Sequence, residues 1–251
     1  MLGRYIREVL EAPCYRGHPI AALELGYAKW LFARARASDI DELFRALDID
    51  PVKALQGFAR WETLLAPIVS SIRASMEDGA LLYGVVRALR PAHVVETGID
   101  AGISTSFICA ALIENGTGEL HSIDQPPGFS ADHVHQDGAR YWWPDGTVAW
   151  AMPEVIRSAI RGRHHVDLRG TRAALPDLLG KLPVLDIFFH DDLHTPDHML
   201  WEYETVWPRL RQDGLLISDD SNFGWVKFVR KMGLERRALL NIQRLTAIRK
   251  R

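Results

Sequence analysis

The 251-residue sequence predicts an α/β fold. The expected architecture is a doubly wound, mostly parallel, seven-stranded sheet with a C-terminal antiparallel hairpin and an N-terminal helical extension. Three observations predict it. From residue 79 onward, short β-branched or apolar runs alternate with helical segments, the pattern of βαβ units. Two of the runs, Asp186-Ile187-Phe188-Phe189 and Leu215-Leu216-Ile217, are nearly all apolar, as strands buried on both faces must be. Residues 1–78 carry helical spacing and no strand signal.

Each element has its own warrant. Leu23, Tyr27, Trp30, Leu31 and Arg34 share one helical face. Ser38 reads as the N-cap of a helix carrying Ile40, Leu43, Phe44 and Leu47. Asp50-Pro51 pairs a cap with a proline at the first helical position, so a helix carrying Leu55, Phe58, Trp61 and Leu65 starts there and stops near Pro67. A helix over 80–89 ends at Arg90-Pro91, and a strand over 93–98 follows. A helix over 104–114 ends at Asn115-Gly116, and a second strand over 119–124 ends in an acid. Further strands are expected over 164–168, 184–189 and 215–218, and a closing hairpin over 235–240 and 244–248. The chain divides into a helical extension or cap, 1–78, and a sheet domain, 79–251. Residues 125–151 interrupt the rhythm with Pro126, Pro127, Pro144 and four large aromatics, among them Trp142, Trp143 and Trp150. A long aromatic loop in such a domain reads either as a flap over a ligand or as a loop whose tryptophans pack on the domain.

Composition sets the outer limits. The chain is 47% hydrophobic and 25% charged, which excludes disorder and collagen. With only two cysteines, Cys14 and Cys109, it is no disulfide scaffold, and both read as thiols in a reducing compartment. No run of about 18 apolar residues exists and the first residues lack a signal-peptide core, so a cytoplasmic protein without a membrane partner is expected. The net charge of -2 divides unevenly, with -9 over residues 79–226 and +8 over 227–251. The basic tail alternates with Leu239, Leu240, Leu245 and Ile248, so it reads as a solvated face of edge strands and not as a nucleic-acid site.

The turn Glu96-Thr97-Gly98-Ile99-Asp100-Ala101-Gly102-Ile103-Ser104-Thr105 follows a strand and opens a helix. Gly98 permits the tight turn and Gly102 a close backbone approach by a ligand. The spacing is G-x-x-x-G, not the three-glycine dinucleotide fingerprint, so a ligand without a pyrophosphate is indicated. Asp124, at the end of the second strand, is placed to accept hydrogen bonds from two ribose hydroxyls.

These segments resemble class I S-adenosylmethionine-dependent methyltransferases. The E-T-G-x-x-x-G-x-S-T turn is similar to that of the macrocin-type and cephalosporin-hydroxylase-like subgroup, small-molecule O-methyltransferases of antibiotic biosynthesis. The resemblance covers roughly residues 79–251 and implies a Rossmann-like sheet with S-adenosyl-L-methionine as cofactor. It also implies that Glu96, Thr97, Gly98, Gly102, Ser104 and Thr105 surround the methionine part while Asp124 holds the ribose. Gly170-Thr171 matches the adenine-side turn, without the acid that the family has between its glycine and hydroxyl residue.

Asp191, Asp219 and Asp220 end two apolar strands whose carboxyl ends should face one crevice. Three converging carboxylates repel unless a cation or protons intervene, and a hard ion such as Mg²⁺ prefers oxygen ligands. Metal-dependent O-methyltransferases, the catechol type included, are similar here and draw ligands from these strand ends. His194, three residues after Asp191, suits either a general base or a structural hydrogen bond to an aspartate, with Asp191 as a further catalytic candidate, and His190 a structural or cofactor-side contact. The histidines at 133, 135, 164 and 165 lack the cysteine spacing of a zinc site.

The expected function is methylation of a small-molecule acceptor, on a hydroxyl and with a divalent metal, in natural-product biosynthesis. Metal-independent N- or C-methylation is the nearest alternative. A nicotinamide-dependent oxidoreductase lacks its third glycine, and a non-catalytic module would not need the acidic cluster. A helical extension of this kind can also form a homo-oligomer interface.

Overall fold

The computed structural model describes residues 39–71, 75–125, 149, 151–219, 223–234, 240–242 and 245–251. The expected helical face over 23–34, the cap at Ser38, Cys14, Asp220 and most of the 125–151 loop lie outside the described residues.

Among the described residues, four helices come first. Helix α1 (Ile40–Ala46) is capped by Asp39, whose carboxylate accepts from Glu42 N at 2.8 Å. Helix α2 (Pro51–Ala54) starts as expected, with Asp50 accepting from Val52 N at 3.0 Å, but lasts one turn. Gly57, at φ +83°, redirects the chain. Helix α3 (Phe58–Ser71) then runs through Pro67 instead of stopping there, because Trp61, Leu65 and Val69 are buried on both sides of the proline. Burial outweighs one lost helical hydrogen bond. Helix α4 (Met76–Leu89) is capped by Ser75 and closed by Arg90 in a left-handed conformation.

The sheet elements follow: β1 (His93–Thr97), α5 (Ile103–Asn115), β2 (Glu119–Ile123), α6 (Glu154–Ala159), β3 (His164–Asp167), α7 (Thr171–Lys181), β4 (Leu185–His190), α8 (Pro196–Val206), β5 (Leu210–Ser218), α9 (Phe223–Lys231), β6 (Leu240–Ile242) and β7 (Leu245–Arg249). Their order is β3-β2-β1-β4-β5-β7-β6. The first five pair in parallel, while β7 runs antiparallel to β5 and β6. This is the expected mostly parallel, Rossmann-like sheet. Of the expected hairpin, 240–242 and 245–249 are antiparallel strands, and 235–239 and 243–244 lie outside the described residues. Strand β5 begins earlier than expected, at Leu210, because an irregular register between Leu185 and Ile187 keeps Asp213-Gly214 within the strand.

One apolar core joins α1–α5 to one face of the sheet, through Phe44, Trp61, Tyr83, Phe107 and Ile217. The other face buries Val95, Phe188, Tyr203, Trp225 and Phe228 against α7, α8 and α9. At the amino end of the strands, Asp186 accepts from Ala92 N and His93 N, each at 2.9 Å, and pairs with Arg211. That ties the starts of β1, β4 and β5 together. The chain reverses its direction of build-up between β1 and β4, so a crevice opens at their carboxyl ends. Among the described residues no helix is long and apolar enough to cross a membrane.

Candidate active site

The crevice is built from four strand ends. Gly98, after β1, has φ +82°, and Gly98 N donates to Ile123 O at 2.9 Å. Asp191 N donates to Thr97 O at 2.8 Å, and Asp219 N to His190 O at 2.9 Å. These bonds continue the sheet past β1, β4 and β5 and bring the turns together.

Glu96 is wholly buried, and its carboxylate accepts from Ser104 Oγ at 2.7 Å and from Thr105 Oγ1 and Ser122 Oγ at 2.8 Å each. It therefore locks the first turn of α5 to β1 and β2. Burial outweighs the three hydroxyl donors and lifts its pKa to about 7. Asp124 Oδ2 accepts from Ile99 N at 2.9 Å and Asp100 N at 3.1 Å, so this carboxylate is tied to the glycine turn. Burial holds it above its ordinary pKa. Gly170 N donates to Asp124 O at 3.1 Å, and Thr171 Oγ1 donates to Asp192. Gly102, at φ +84°, is covered by Ala149, whose N donates to Asp100 O at 3.0 Å.

The acidic cluster assembles at the ends of β4 and β5. His194 Nε2 lies 3.8 Å from Asp191 Oδ1 and 3.8 Å from Asp219 Oδ2. Burial and the Asp219 carboxylate push Asp191 well above the usual carboxylate range, although 37% of its side chain remains open to solvent. Asp220 lies outside the described residues.

Residues 95–221 match the family model for a methyltransferase domain, about half of the chain. The chain belongs to this methyltransferase family. It is a methyltransferase, as the turn motif implied. No curated protein matches its sequence. Solved structures similar to it include an O-methyltransferase from Bacillus cereus in complex with SAH, at 15% identity, covering 68% of this chain and 76% of that one, TM-score 0.44. SAH-bound Podospora anserina methyltransferase PaMTH1 is similar at 16% identity, covering 79% and 88%, TM-score 0.48. A methyltransferase from Geobacter sulfurreducens is similar at 16%, covering 75% and 87%, TM-score 0.47.

Behind the crevice of this methyltransferase lies a polar network that sequence reasoning missed. His190 is fully buried and its Nδ1 contacts Glu202 Oε2. Thr97 Oγ1 donates to the same oxygen at 3.3 Å. His198 Nε2 lies 3.1 Å from Asp192 Oδ2 and 3.4 Å from Glu202 Oε1. Burial alone would lower the His198 pKa, but the Asp192 and Glu202 carboxylates outweigh it and lift it to about 9. Both carboxylates are held below their ordinary values in return, against the pull of burial. The helical i,i+4 pair His198/Glu202 was the available signal, but only the fold shows that it meets the end of β4.

Glu96 sets a pH dependence of stability. Its folded pKa of about 7 exceeds its ordinary 4.5. The folded state therefore keeps a proton that the unfolded chain releases, and stability falls as pH rises from the lower value through the higher. The full span is worth roughly 3 kcal/mol. His121 and His164, lowered by burial to about 4, act with the opposite sign over an overlapping range. The difference between the natural protein and Glu96→Gln isolates the Glu96 contribution. Urea midpoints at about pH 5 and about pH 8 should show Glu96→Gln gaining relative stability at the higher pH. An unchanged difference would contradict this assignment.

Proposed function

We propose that this methyltransferase transfers a methyl group from S-adenosylmethionine to a hydroxyl of a small-molecule acceptor, with a divalent cation at Asp191, Asp219 and Asp220. The observation that carries the reading is the convergence of Asp191, Asp219 and His194 at the crevice, with both carboxylates 3.8 Å from one imidazole nitrogen. The donor set fits a hard cation, since two carboxylates face each other and one is driven toward its protonated form. When bound, such a cation would hold the acceptor oxygen and lower its pKa.

The chain's own residues supply the rest. Ser104 and Thr105, locked by Glu96, shape the start of α5 beside the glycine turn. Asp124 sits at the end of β2, where a ribose would be held, with Gly170 and Thr171 on the adjacent turn. Thr97 and His190 back the site through Glu202. In the transfer, the acceptor oxygen forms a bond to the methyl carbon as the sulfur–carbon bond breaks. Its electron pair stays on sulfur, which becomes a neutral thioether. The acceptor proton passes to His194, and such base assistance is worth about 10²–10⁴-fold. The protein otherwise contributes mainly position, because the sulfonium is already activated. In this reading the acceptor is of the antibiotic-like class that the turn motif suggests.

Isothermal titration of Mg²⁺ into the protein with S-adenosylhomocysteine should give a binding signal, and turnover in an acceptor screen should be chelator-sensitive. No heat together with chelator-insensitive turnover would remove the metal from the reading.

A further inference from the structure

A second set of ligating side chains lies at the opposite end of the sheet. In the register of β1 and β2, His93 stands directly opposite Glu119, and in that of β2 and β3, His121 stands opposite His165. Side chains alternate along a strand, so His93, Glu119, His121 and His165 all lie on one face of three adjacent strands. They sit at the amino ends of these strands, away from the crevice at the carboxyl ends.

The ligating atoms are already close. His121 Nε2 is 3.4 Å from His93 Nδ1 and 3.6 Å from Glu119 Oε2. His165 Nε2 is 3.3 Å from the same Glu119 oxygen. The His121 and His165 rings stack with centroids 4.9 Å apart, and His93 and His121 follow at 5.6 Å. For a zinc ion with bonds of about 2.0–2.1 Å, neighbouring tetrahedral ligands lie about 3.3–3.4 Å apart. These three spacings lie at or just above that value; His93, Glu119 and His121 offer ligand atoms within 4.8 Å of one another, and His165 joins them through Glu119. Three imidazoles and one carboxylate are also the donor types that suit zinc.

The site is reachable. The side chains of Glu119 and His165 are 42% and 47% exposed, while that of His121 is 13% exposed at the centre of the set.

We propose that His93, Glu119, His121 and His165 form a structural zinc site that clamps the edge strand β3 to β2 and β1. The strand pairings place no covalent staple there, and the ion would supply one across three strands. The site is independent of the crevice, so its failure leaves the methyl-transfer reading untouched.

The test titrates Zn²⁺ into the chelator-treated full chain, with excess Mg²⁺ present to occupy the crevice carboxylates. One equivalent should bind and the melting temperature should rise. Co²⁺ in its place should give the intense visible absorption of a four-coordinate site. Glu119→Gln and the half-exposed His165→Ala should each weaken Zn²⁺ binding by about tenfold or more, and His121→Ala by about 100-fold or more. Turnover with Mg²⁺ should be unchanged in His165→Ala, and Asp219→Asn should retain the zinc equivalent. The proposal is overturned if the natural chain binds no Zn²⁺ tightly. It is equally overturned if Asp219→Asn loses the equivalent, or if Glu119→Gln and His165→Ala keep it at full affinity.

Discussion

Gly98→Ala is expected to cost about 3 kcal/mol or more of stability and to abolish S-adenosylhomocysteine binding. Gly98 has φ +82°, a conformation that costs an L-residue roughly 1–2 kcal/mol by itself. The added Cβ would also stand 2.0 Å from Asp191 O and 2.5 Å from Asp191 C. Those are backbone atoms, fixed by the bond from Asp191 N to Thr97 O at 2.8 Å. The turn after β1 and the turn after β4 must therefore separate, and both border the crevice. Gly116→Ala is the matched control. It has φ +67°, but its Cβ would meet nothing within 4 Å, so only the conformational cost applies. Urea unfolding of the two variants, with titration of S-adenosylhomocysteine, measures the difference. Equal losses in both would show that the contact between the turns is not what makes Gly98 necessary.

Asp219→Asn is expected to lower turnover by about 10²–10⁴-fold while leaving the fold as stable or more stable. The two effects separate because they have different origins. Asp219 lies beside Asp191 and raises its pKa, so the pair carries repulsion in the absence of a cation. A neutral amide of the same shape relieves that repulsion. It also removes one charge from the proposed metal set and one carboxylate facing His194 Nε2. Melting temperature without metal should hold or rise, the KM for S-adenosylmethionine should change little, and the Mg²⁺ dependence of turnover should disappear. Full activity in this variant would remove Asp219 from the proposed site.

Much of the fold follows from local signals. Asp50-Pro51, Asn115-Gly116 and the apolar run before His190 each encode one element through its own cap, turn or burial. Where the fold departs from those signals, a distant partner is responsible. Pro67 sits inside α3 because Trp61, Leu65 and Val69 reach the core and Trp61 Nε1 donates to Glu114 at 3.0 Å. Asp213-Gly214 lie before the strand expected over 215–218, yet belong to β5, where Lys250 N donates to Gly214 O at 2.9 Å from the far end of the chain. Neither partner is visible in a short window of sequence.

The crevice shows the same division. Asp191, His194 and Asp219 could be placed together from sequence, since strand ends of a doubly wound sheet share an edge and each strand ends in its polar residues. The work of Glu96 could not. Its three hydroxyl partners come from α5 and β2, and their geometry exists only once the strands align. The pairing of His190 with Glu202, and of His198 with Asp192, likewise waits for α8 to lie against the end of β4.

The sequence by itself determined the sheet, the glycine turn and the identity of the acids at the strand ends, because periodicity and turn chemistry are written in neighbouring residues. Only the tertiary structure decided which acids are paired with side chains inside and which stand beside one another at the crevice. It also brought His93, Glu119, His121 and His165 into one row. The physical reason is that burial and hydrogen bonding of a side chain depend on residues tens of positions away, brought beside it by strand register.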